Sequence, residues 1–284
     1  MSDVYGFIAE KMPQMTKSNH KIAQYILQHP NEVPFYTVAK MAKMTGVSEA
    51  TVVRFATFLG YSGYPELQQY MQASVQQQLT TVERLKMSLE VYDEEEQGVY
   101  EVFQDDMANI QSTMEKLDMD VFRQVVEAII QAEQVYIVAN RSAIALGLFL
   151  QYYLDIILGN TQLVQVSDRM VEQVYRMDEK DVVIGISFSR YTTNTIDVLA
   201  FARSQGAKTI AITDHLLSPL IPYADLSLTA SSQMATFIDS FVAPLSMINA
   251  IITFVGKQKQ YEFHDRLQQL EKIWSHFAIF YSQR

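Results

Sequence analysis

Two short turns of this sequence combine polar side chains with an arginine, a combination suited to binding anions. The first turn follows the apolar run 135–139 and consists of Asn140, Arg141 and Ser142. The second turn follows the apolar run 181–187, and its candidate residues are Ser187, Ser189, Arg190 and Thr192. Hydroxyls and backbone N–H groups can hold a phosphate, and each guanidinium can add bidentate charge-assisted hydrogen bonds. The two turns together form the predicted ligand site.

The ordinary alternative is that Ser189 or Thr192 only caps the helix that follows it. One such cap would be unremarkable. Hydroxyls and an arginine at two neighbouring turns favour a site, because ligands of doubly wound sheets bind beyond the carboxyl ends of the strands.

The elements that must position these turns are alternating strands and helices after Met119. The predicted strands are 135–139, 161–166, 181–187, 208–213 and 226–230. The predicted helices are 142–158, 168–176, 193–204, a short turn near 218–223, 234–256 and 259–281. Runs that are apolar on both faces are typical of a parallel sheet covered by helices on each side. The sequence therefore predicts a five-stranded parallel sheet in a three-layer αβα sandwich.

A second stretch, Thr37–Gly60, is typical of two short helices joined by a tight turn. Gly46 can adopt the left-handed conformation that ends a helix, and Ser48 is a good N-cap for the next one. Apolar residues that recur at helical spacing would face the first helix: Val52, Phe55 and Leu59. This is the helix-turn-helix pattern of DNA-binding proteins, although an ordinary helical hairpin also favours glycine in its turn.

The helix-turn-helix interpretation assigns a role to each exposed residue near the start of the second helix. Glu49, Ala50 and Arg54 would read base edges in the major groove. The side chains that would position phosphates are Thr37, Ser48 and Thr51. The sequence therefore predicts an all-α DNA-binding domain joined to the α/β domain.

The net charge of −10 is unevenly distributed along the 284 residues. It is +1 for residues 1–77, −9 for residues 78–130 and −2 for residues 131–284. We expect a DNA-binding domain at 1–77, an acidic helical linker at 78–106 and a ligand-binding and dimerisation domain at 107–284. Because this DNA-binding domain is only weakly basic, tight binding to DNA is expected to need more than one copy of the domain.

Several classes of site are disfavoured by composition. The chain has no cysteine, and its histidines are scattered at positions 20, 29, 215, 264 and 276, so no metal site and no cofactor are expected. The N-terminus does not resemble a signal peptide and no apolar run is long enough for a membrane span, which favours the cytoplasm. His215 could act as a general base, but a loop histidine without a catalytic role is the more ordinary interpretation.

The sequence resembles the RpiR (MurR/RpiR) family of transcription regulators, which join an N-terminal helix-turn-helix to a C-terminal sugar isomerase (SIS) domain. VSEATVVRF followed by LGYSGYPEL carries the resemblance in the first part. In the second part it is carried by DVVIGISFSRYTTNT, GAK, IAIT, SPL and AD, in that order.

The resemblance implies that the SIS domain binds a phosphosugar through an S-x-S-G-x-T loop. Ser187, Ser189 and Thr192 fill the hydroxyl positions of that loop. The chain departs from the pattern at Arg190, where the family usually has glycine, and at the first turn, which contains Arg141 instead of a glycine-rich segment. An arginine could donate to the phosphate, occupy its place or serve a different acidic ligand.

The main hypothesis is a non-enzymatic transcriptional regulator that binds a near-palindromic duplex as a homodimer or higher homo-oligomer, with a phosphosugar as effector. The family implies that the SIS domains supply the association, with the last helices as contributors. An SIS-type sugar-phosphate isomerase or lyase is the alternative, and a dimerisation scaffold that binds nothing is a third possibility.

Overall fold

The computed structural model describes residues 4–76, 80–91, 95–164, 170–234 and 236–281. The chain divides into two compact units. The first contains residues 1–104 and 234–238, and the second contains residues 105–233 and 239–284. Each unit has its own hydrophobic core.

The first unit is helical. Its helices are α1 (Val4–Lys11), α2 (Lys17–Gln28), α3 (Val38–Thr45), α4 (Glu49–Phe58), α5 (Tyr64–Gln76) and α6 (Thr81–Val91). The helix α7 (Glu95–Lys116) begins in this unit and ends in the second. Apolar residues at helical spacing meet in one core, in which Ile22, Val52, Phe55 and Leu67 are fully buried.

The predicted helix-turn-helix is present as α3 and α4. Gly46 ends α3 with a φ of 67°, and a Cβ added at this position would meet no atom within 4 Å. The glycine is therefore required by the backbone conformation rather than by packing. Val52, Phe55 and Leu59 are buried as predicted.

The second unit is built on a five-stranded parallel sheet, as predicted. Its strands are β1 (Val135–Ala139), β2 (Thr161–Val164), β3 (Val182–Ile186), β4 (Lys208–Thr213) and β5 (Leu226–Thr229). They lie in the order β2-β1-β3-β4-β5, so the direction of winding reverses between β1 and β3. Ligands of doubly wound sheets bind at this reversal.

Helices cover both faces of the sheet. They are α8 (Met119–Gln131), α9 (Ile144–Leu158), α10 (Met170–Val174), α11 (Thr193–Ser204) and α12 (Val242–Gln258). The last helix, α13 (Gln260–His276), packs against α9 and α12. Buried residues of α8, α9 and α12 form a core with one face of the sheet, and those of α10 and α11 form a core with the other. The three-layer αβα sandwich is thereby confirmed.

One helix among the described residues, Arg141–Leu158, is long and apolar enough to cross a membrane by length and composition. Its residues Leu146, Leu150 and Leu154 are buried in the core of the second unit. A helix that covers a central sheet must be apolar for this reason alone.

Two predicted helix boundaries are wrong. The helix predicted at 234–256 begins only at Val242, because Ser240 N–H donates to the Ser232 carbonyl and closes a loop before it. The helix predicted at 259–281 ends at His276, and Ala278 then adopts a positive φ of 49°. The acidic residues 93 and 94, and residues 165 and 166 of the second predicted strand, lie outside the described residues.

Candidate nucleic-acid interface and anion site

The start of α4 presents an exposed polar and apolar surface that can enter a DNA groove. Glu49, Ala50, Val53 and Arg54 are exposed, while the opposite face of the helix is buried. Arginine can read guanine bidentately, a carboxylate can accept from cytosine, and small apolar side chains can contact the thymine methyl group. The helix therefore offers the side chains that direct readout requires.

A chain of hydrogen bonds fixes the N-terminus of α4. The Ser48 hydroxyl accepts from Thr51 N–H at 3.3 Å and lies 2.8 Å from the Thr51 hydroxyl. Arg54 Nη2 in turn donates to Thr51 Oγ1 at 3.2 Å. The guanidinium is therefore oriented by Thr51, while its remaining N–H groups can donate to a base or a phosphate.

The N-terminus of α3 is also capped. Thr37 Oγ1 accepts from Lys40 N–H at 3.1 Å, and the Lys40 ammonium group lies 4.4 Å from the centroid of the Tyr36 ring. Thr37 uses its oxygen as an acceptor within the protein, and its hydroxyl keeps a proton that can be donated to a phosphate. The Ser48 and Thr51 hydroxyls share one hydrogen bond, which leaves one of their two protons for a phosphate. All six predicted DNA-binding residues belong to the first unit.

The two predicted ligand-binding turns meet at one edge of the sheet. Ala139 pairs with Ile186 at the ends of β1 and β3, so both turns leave the same edge. Asn140 Nδ2 donates to the Thr195 hydroxyl at 2.8 Å, which links the first turn to α11. Thr195 Oγ1 also lies 2.8 Å from Thr192 Oγ1. The sheet reversal therefore brings Asn140 and Thr192 into one hydrogen-bonded group.

Ser187 and Ser189 are buried polar residues at this edge, with 4% and 8% of their surfaces exposed. Within the part of the chain that the structure describes, neither hydroxyl has a hydrogen-bond partner. Neither oxygen is among the atoms fully shielded from solvent. A hydroxyl that is nearly buried but still accessible to solvent is suited to forming a hydrogen bond with a ligand.

Thr192 does not serve as a conventional cap. It occupies the N-cap position of α11, but its side chain accepts no hydrogen bond from the first turn of that helix. The short 3-10 helix Arg141–Ala143 that precedes α9 also lacks a side-chain cap at Asn140. Thr192 therefore does not act only as a helix cap, which was the ordinary alternative. The N–H groups at the two helix N-termini can donate hydrogen bonds to an anion.

Both arginines of the turns adopt a left-handed backbone, with a φ of 56° at Arg141 and of 63° at Arg190. Ala278 is the third non-glycine residue with positive φ in the described ranges. A Cβ in this conformation costs roughly 1–2 kcal/mol. The chain thus keeps the backbone conformation for which glycine is suited and carries a guanidinium in its place. Arg141, Ser142 and Arg190 are exposed.

One group beside this edge was not predicted from the sequence. The Tyr191 hydroxyl donates to Asp214 Oδ1 at 2.6 Å and lies 3.2 Å from His215 Nε2. Burial, and then the Asp214 carboxylate, raise the pKa of the Tyr191 phenol, which keeps it a donor. Leu217 N–H donates to His215 Nδ1 at 3.1 Å, so the ring is held on both sides. The sequence singled out His215, two residues after β4, but not its contact with Tyr191.

Two family descriptions match separate parts of the chain. A helix-turn-helix domain of the rpiR family matches residues 4–78, and an SIS domain matches residues 128–254. Among curated proteins, an uncharacterised HTH-type transcriptional regulator of Caldanaerobacter subterraneus subsp. tengcongensis is 27% identical over 277 residues, which cover 95% of each chain. The HTH-type transcriptional regulator HexR of Pseudomonas aeruginosa is 24% identical over 96% of this chain and 95% of its own.

Solved structures share the fold. The sugar isomerase domain of an RpiR transcription factor from Sphaerobacter thermophilus aligns with a TM-score of 0.59 at 24% identity, covering 61% of this chain and 97% of that one. The Vibrio vulnificus NanR protein, complexed with ManNAc-6P, aligns with a TM-score of 0.57 at 20% identity, covering 98% of this chain and all of that one. The second alignment spans both the helical part and the sheet.

Proposed function

This chain belongs to the RpiR family of helix-turn-helix transcriptional regulators, and we propose that a phosphosugar bound at the ends of β1 and β3 modulates its binding to DNA. The relatives named as HTH-type transcriptional regulators support a regulator without enzymatic activity. The observation that carries the ligand proposal is the pair of nearly buried hydroxyls, Ser187 and Ser189, beside the uncapped N-terminus of α11.

The phosphate is the part of the ligand that this edge would hold. The N-terminus of α11 carries positive partial charge, and Ser187, Ser189 and Thr192 add hydroxyl donors. Arg141 and Arg190 would donate to the phosphate or to a second acidic group of the same molecule. Asn140 and Ser142 complete the proposed site at the first turn. The ManNAc-6P in the Vibrio vulnificus NanR structure supports a phosphosugar as the ligand class.

The DNA site would consist of Glu49, Ala50 and Arg54 on base edges, with Thr37, Ser48 and Thr51 on phosphates. A homodimer would place two readers roughly 34 Å apart on a near-palindromic duplex. Exposed apolar side chains on α9 and after α13, such as Tyr152, Ile279 and Phe280, support association through the second unit. Such a regulator acts where the DNA lies, so a cytoplasmic location forms part of the proposal.

We expect Arg54→Ala to weaken binding to a specific duplex by about 10- to 100-fold, which corresponds to about 1–3 kcal/mol. A duplex selected from a random pool with the unaltered chain serves as the probe in fluorescence anisotropy. Arg123→Ala is the matched control, because this arginine is exposed on α8 and its side chain pairs with Asp120. The preference of the Arg54 variant for the selected over a scrambled duplex should fall by the same 10- to 100-fold. Retention of full selectivity would contradict the assignment.

We expect Ser189→Ala combined with Arg190→Gly to abolish the effect of the ligand on DNA binding and to leave DNA binding itself unchanged. A panel of phosphosugars that includes ManNAc-6P is first screened by thermal shift. Any hit is then titrated into the protein–DNA complex. Ser204→Ala combined with Arg123→Ala removes the same chemical groups away from this edge and serves as the control. A normal ligand response in the first double variant, or no binding across the panel, would overturn the ligand proposal.

Ligand and DNA must influence each other equally if the coupling is allosteric. A ligand that lowers DNA affinity by a given factor has its own affinity lowered by the same factor when DNA is bound. Measuring the ligand affinity with and without the selected duplex tests this equality. A ligand that binds with the same affinity in both cases cannot be the effector.

A further inference from the structure

The chain between β5 and α12 passes through the first unit. Residues 234–238 belong to the first unit, whereas the residues on either side of them belong to the second. This loop is closed at its base, because Ser240 N–H donates to the Ser232 carbonyl at 2.9 Å. Compact loops whose ends lie close together frequently have a function. Residues 236–238, at the end of the loop, are called the strap below.

The base of the loop is fixed within the second unit. The Ser231 hydroxyl donates to Asn109 Oδ1 at 2.6 Å, and Asn109 Nδ2 donates to the Gln233 carbonyl at 2.6 Å. On the other side of the loop, the Ser240 hydroxyl donates to the Asp106 carboxylate. These polar groups are satisfied by α7, so the two ends of the loop are held in place and move together.

The strap is held within the first unit by a buried arginine of α6. Arg84 is only 3% exposed, and its Nε and Nη2 atoms donate to the carbonyls of Thr236 and Ile238 at 3.1 and 2.9 Å. A guanidinium presents its donors in a rigid fork, so two carbonyls fix both the position and the orientation of the strap on α6. Burying a charged side chain is costly unless it is well hydrogen-bonded, which distinguishes this contact from an ordinary surface contact.

The same loop contacts the proposed ligand site. The strand β5 ends at the same edge as β3, because both strands pair in parallel with β4. Phe188 lies between Ser187 and Ser189, and its buried ring packs against the ring of Phe241, with the centroids 5.5 Å apart. Phe241 directly follows Ser240 at the end of the loop. A ligand that draws the two serines towards it therefore displaces a ring against which the loop is packed.

We propose that the strap connects the strand-end ligand site to the first unit, with Arg84 as the positioning residue that attaches it to α6. The inference rests on the proposed function and supplies the route of its regulation. Displacement of Phe188 moves Phe241, the closed loop moves with it, and Arg84 moves α6 in the unit that contains the helix-turn-helix. A route of this kind requires an energetic coupling that is lost when one link is removed.

Hydrogen exchange of the α6 amides in the full chain without ligand tests the route independently of any effector. Phe241→Leu removes the ring contact and should speed exchange of these amides at least 3-fold, because the strap is held less firmly. Phe254→Leu is the matched control, since this residue lies on α12 and its ring pairs with that of Phe122. In an Arg84→Gln background, Phe241→Leu should cause no further change.

Two results of this double-mutant cycle overturn the proposal. If Phe241→Leu speeds exchange equally with and without Arg84, the change reaches α6 along α7, which is the other segment that passes between the units. If Phe241→Leu has no larger effect than Phe254→Leu, the loop does not connect the ligand site to α6.

The response to a ligand provides the second measurement. A phosphosugar from the panel that includes ManNAc-6P should bind the Arg84→Gln protein with unchanged affinity. The factor by which it changes DNA affinity should fall at least 5-fold. Arg84→Lys keeps the charge, which protects the fold, but it lacks the fork that reaches two carbonyls and should show the same loss.

Failure of the strap and failure of the proposed function give different results. If the unaltered chain responds to a ligand and both Arg84 variants respond equally, the strap proposal is overturned and the proposed function stands. If no phosphosugar binds the unaltered chain, the proposed function fails, and the hydrogen-exchange cycle alone decides whether the strap connects the strand ends to α6.

Discussion

The helix-turn-helix α3–α4, called the reader below, and the turns after β1 and β3, called the strand-end turns, both place polar residues at the N-termini of helices. The two regions satisfy the N–H groups of those N-termini differently. In the reader, Thr37 and Ser48 each accept a hydrogen bond from the first turn of their helix. At the strand ends, Thr192 leaves the first turn of α11 without a side-chain cap, and Asn140 does the same for the 3-10 helix before α9. The first turns of α3 and α4 are therefore capped by side chains, whereas those at the strand ends are not.

The same contrast holds for the left-handed backbone positions. The reader places Gly46 at its turn, where no side chain is strained. The strand-end turns place Arg141 and Arg190 in this conformation, and each stores roughly 1–2 kcal/mol of strain. Strain of this kind accumulates at functional sites, where the side chain is needed despite its cost. The comparison therefore distinguishes an unstrained turn in the DNA-binding domain from two strained turns at the strand ends.

The largest expected effect is on the turn of the reader. Gly46→Val should destabilise the α3–α4 pair by about 2 kcal/mol, because a β-branched residue is strained at a φ of 67°. No atom lies within 4 Å of the added Cβ, so the whole effect comes from the backbone. Hydrogen exchange of the α4 amides measures it, and Gly63→Val at a turn without positive φ serves as the control. Unchanged exchange in the Gly46 variant would contradict the assignment of the turn.

Sequence alone predicted the local features of both regions. Gly46, Ser48 and the buried Val52 and Phe55 follow from rules that act within a few residues, and the strands follow from β-branched apolar runs. The loop before α12 was mistaken for helix because its structure depends on a hydrogen bond from Ser240 to Ser232. No local pattern reports such a bond.

The unpredicted parts of the site join distant segments. Asn140 meets Thr195 across 55 positions, and Tyr191 meets Asp214 across 23. The sequence indicated hydroxyls and arginines at two turns, but only the sheet order brings the turns to one edge. The left-handed backbone at Arg141 and Arg190 could not be predicted from these residue types, because arginine rarely adopts a positive φ.

Two substitutions at helix N-termini should have effects on stability of intermediate size, and they test the difference in capping between the two regions. Ser48→Ala should destabilise α4 by about 1 kcal/mol, since it removes a satisfied cap. Thr192→Ala should leave the protection of the first-turn amides of α11 nearly unchanged, since its side chain caps none of them. Its cost to overall stability, about 1 kcal/mol, comes from the lost hydrogen bond with Thr195 Oγ1. Hydrogen exchange of the first-turn amides of each helix provides the measurement. Equal losses of protection in the two helices would show that the strand-end edge is capped like the reader.

The smallest expected effect concerns the arginine at the second strand-end turn. Arg190→Gly relieves roughly 1–2 kcal/mol of backbone strain in the folded protein. It also gives the unfolded chain more conformational freedom, which lowers stability by about 0.4–1 kcal/mol. Arg190→Ala loses the same guanidinium contacts as Arg190→Gly, so the difference between the two variants isolates the backbone contribution, which should be about 1 kcal/mol. Arg190→Ala keeps the strain and should be less stable than the glycine variant. Chemical denaturation followed by circular dichroism gives the order of the three proteins. If the alanine variant is more stable than the glycine variant, a side chain at position 190 causes no backbone strain. The proposed difference from the unstrained Gly46 turn would then be wrong.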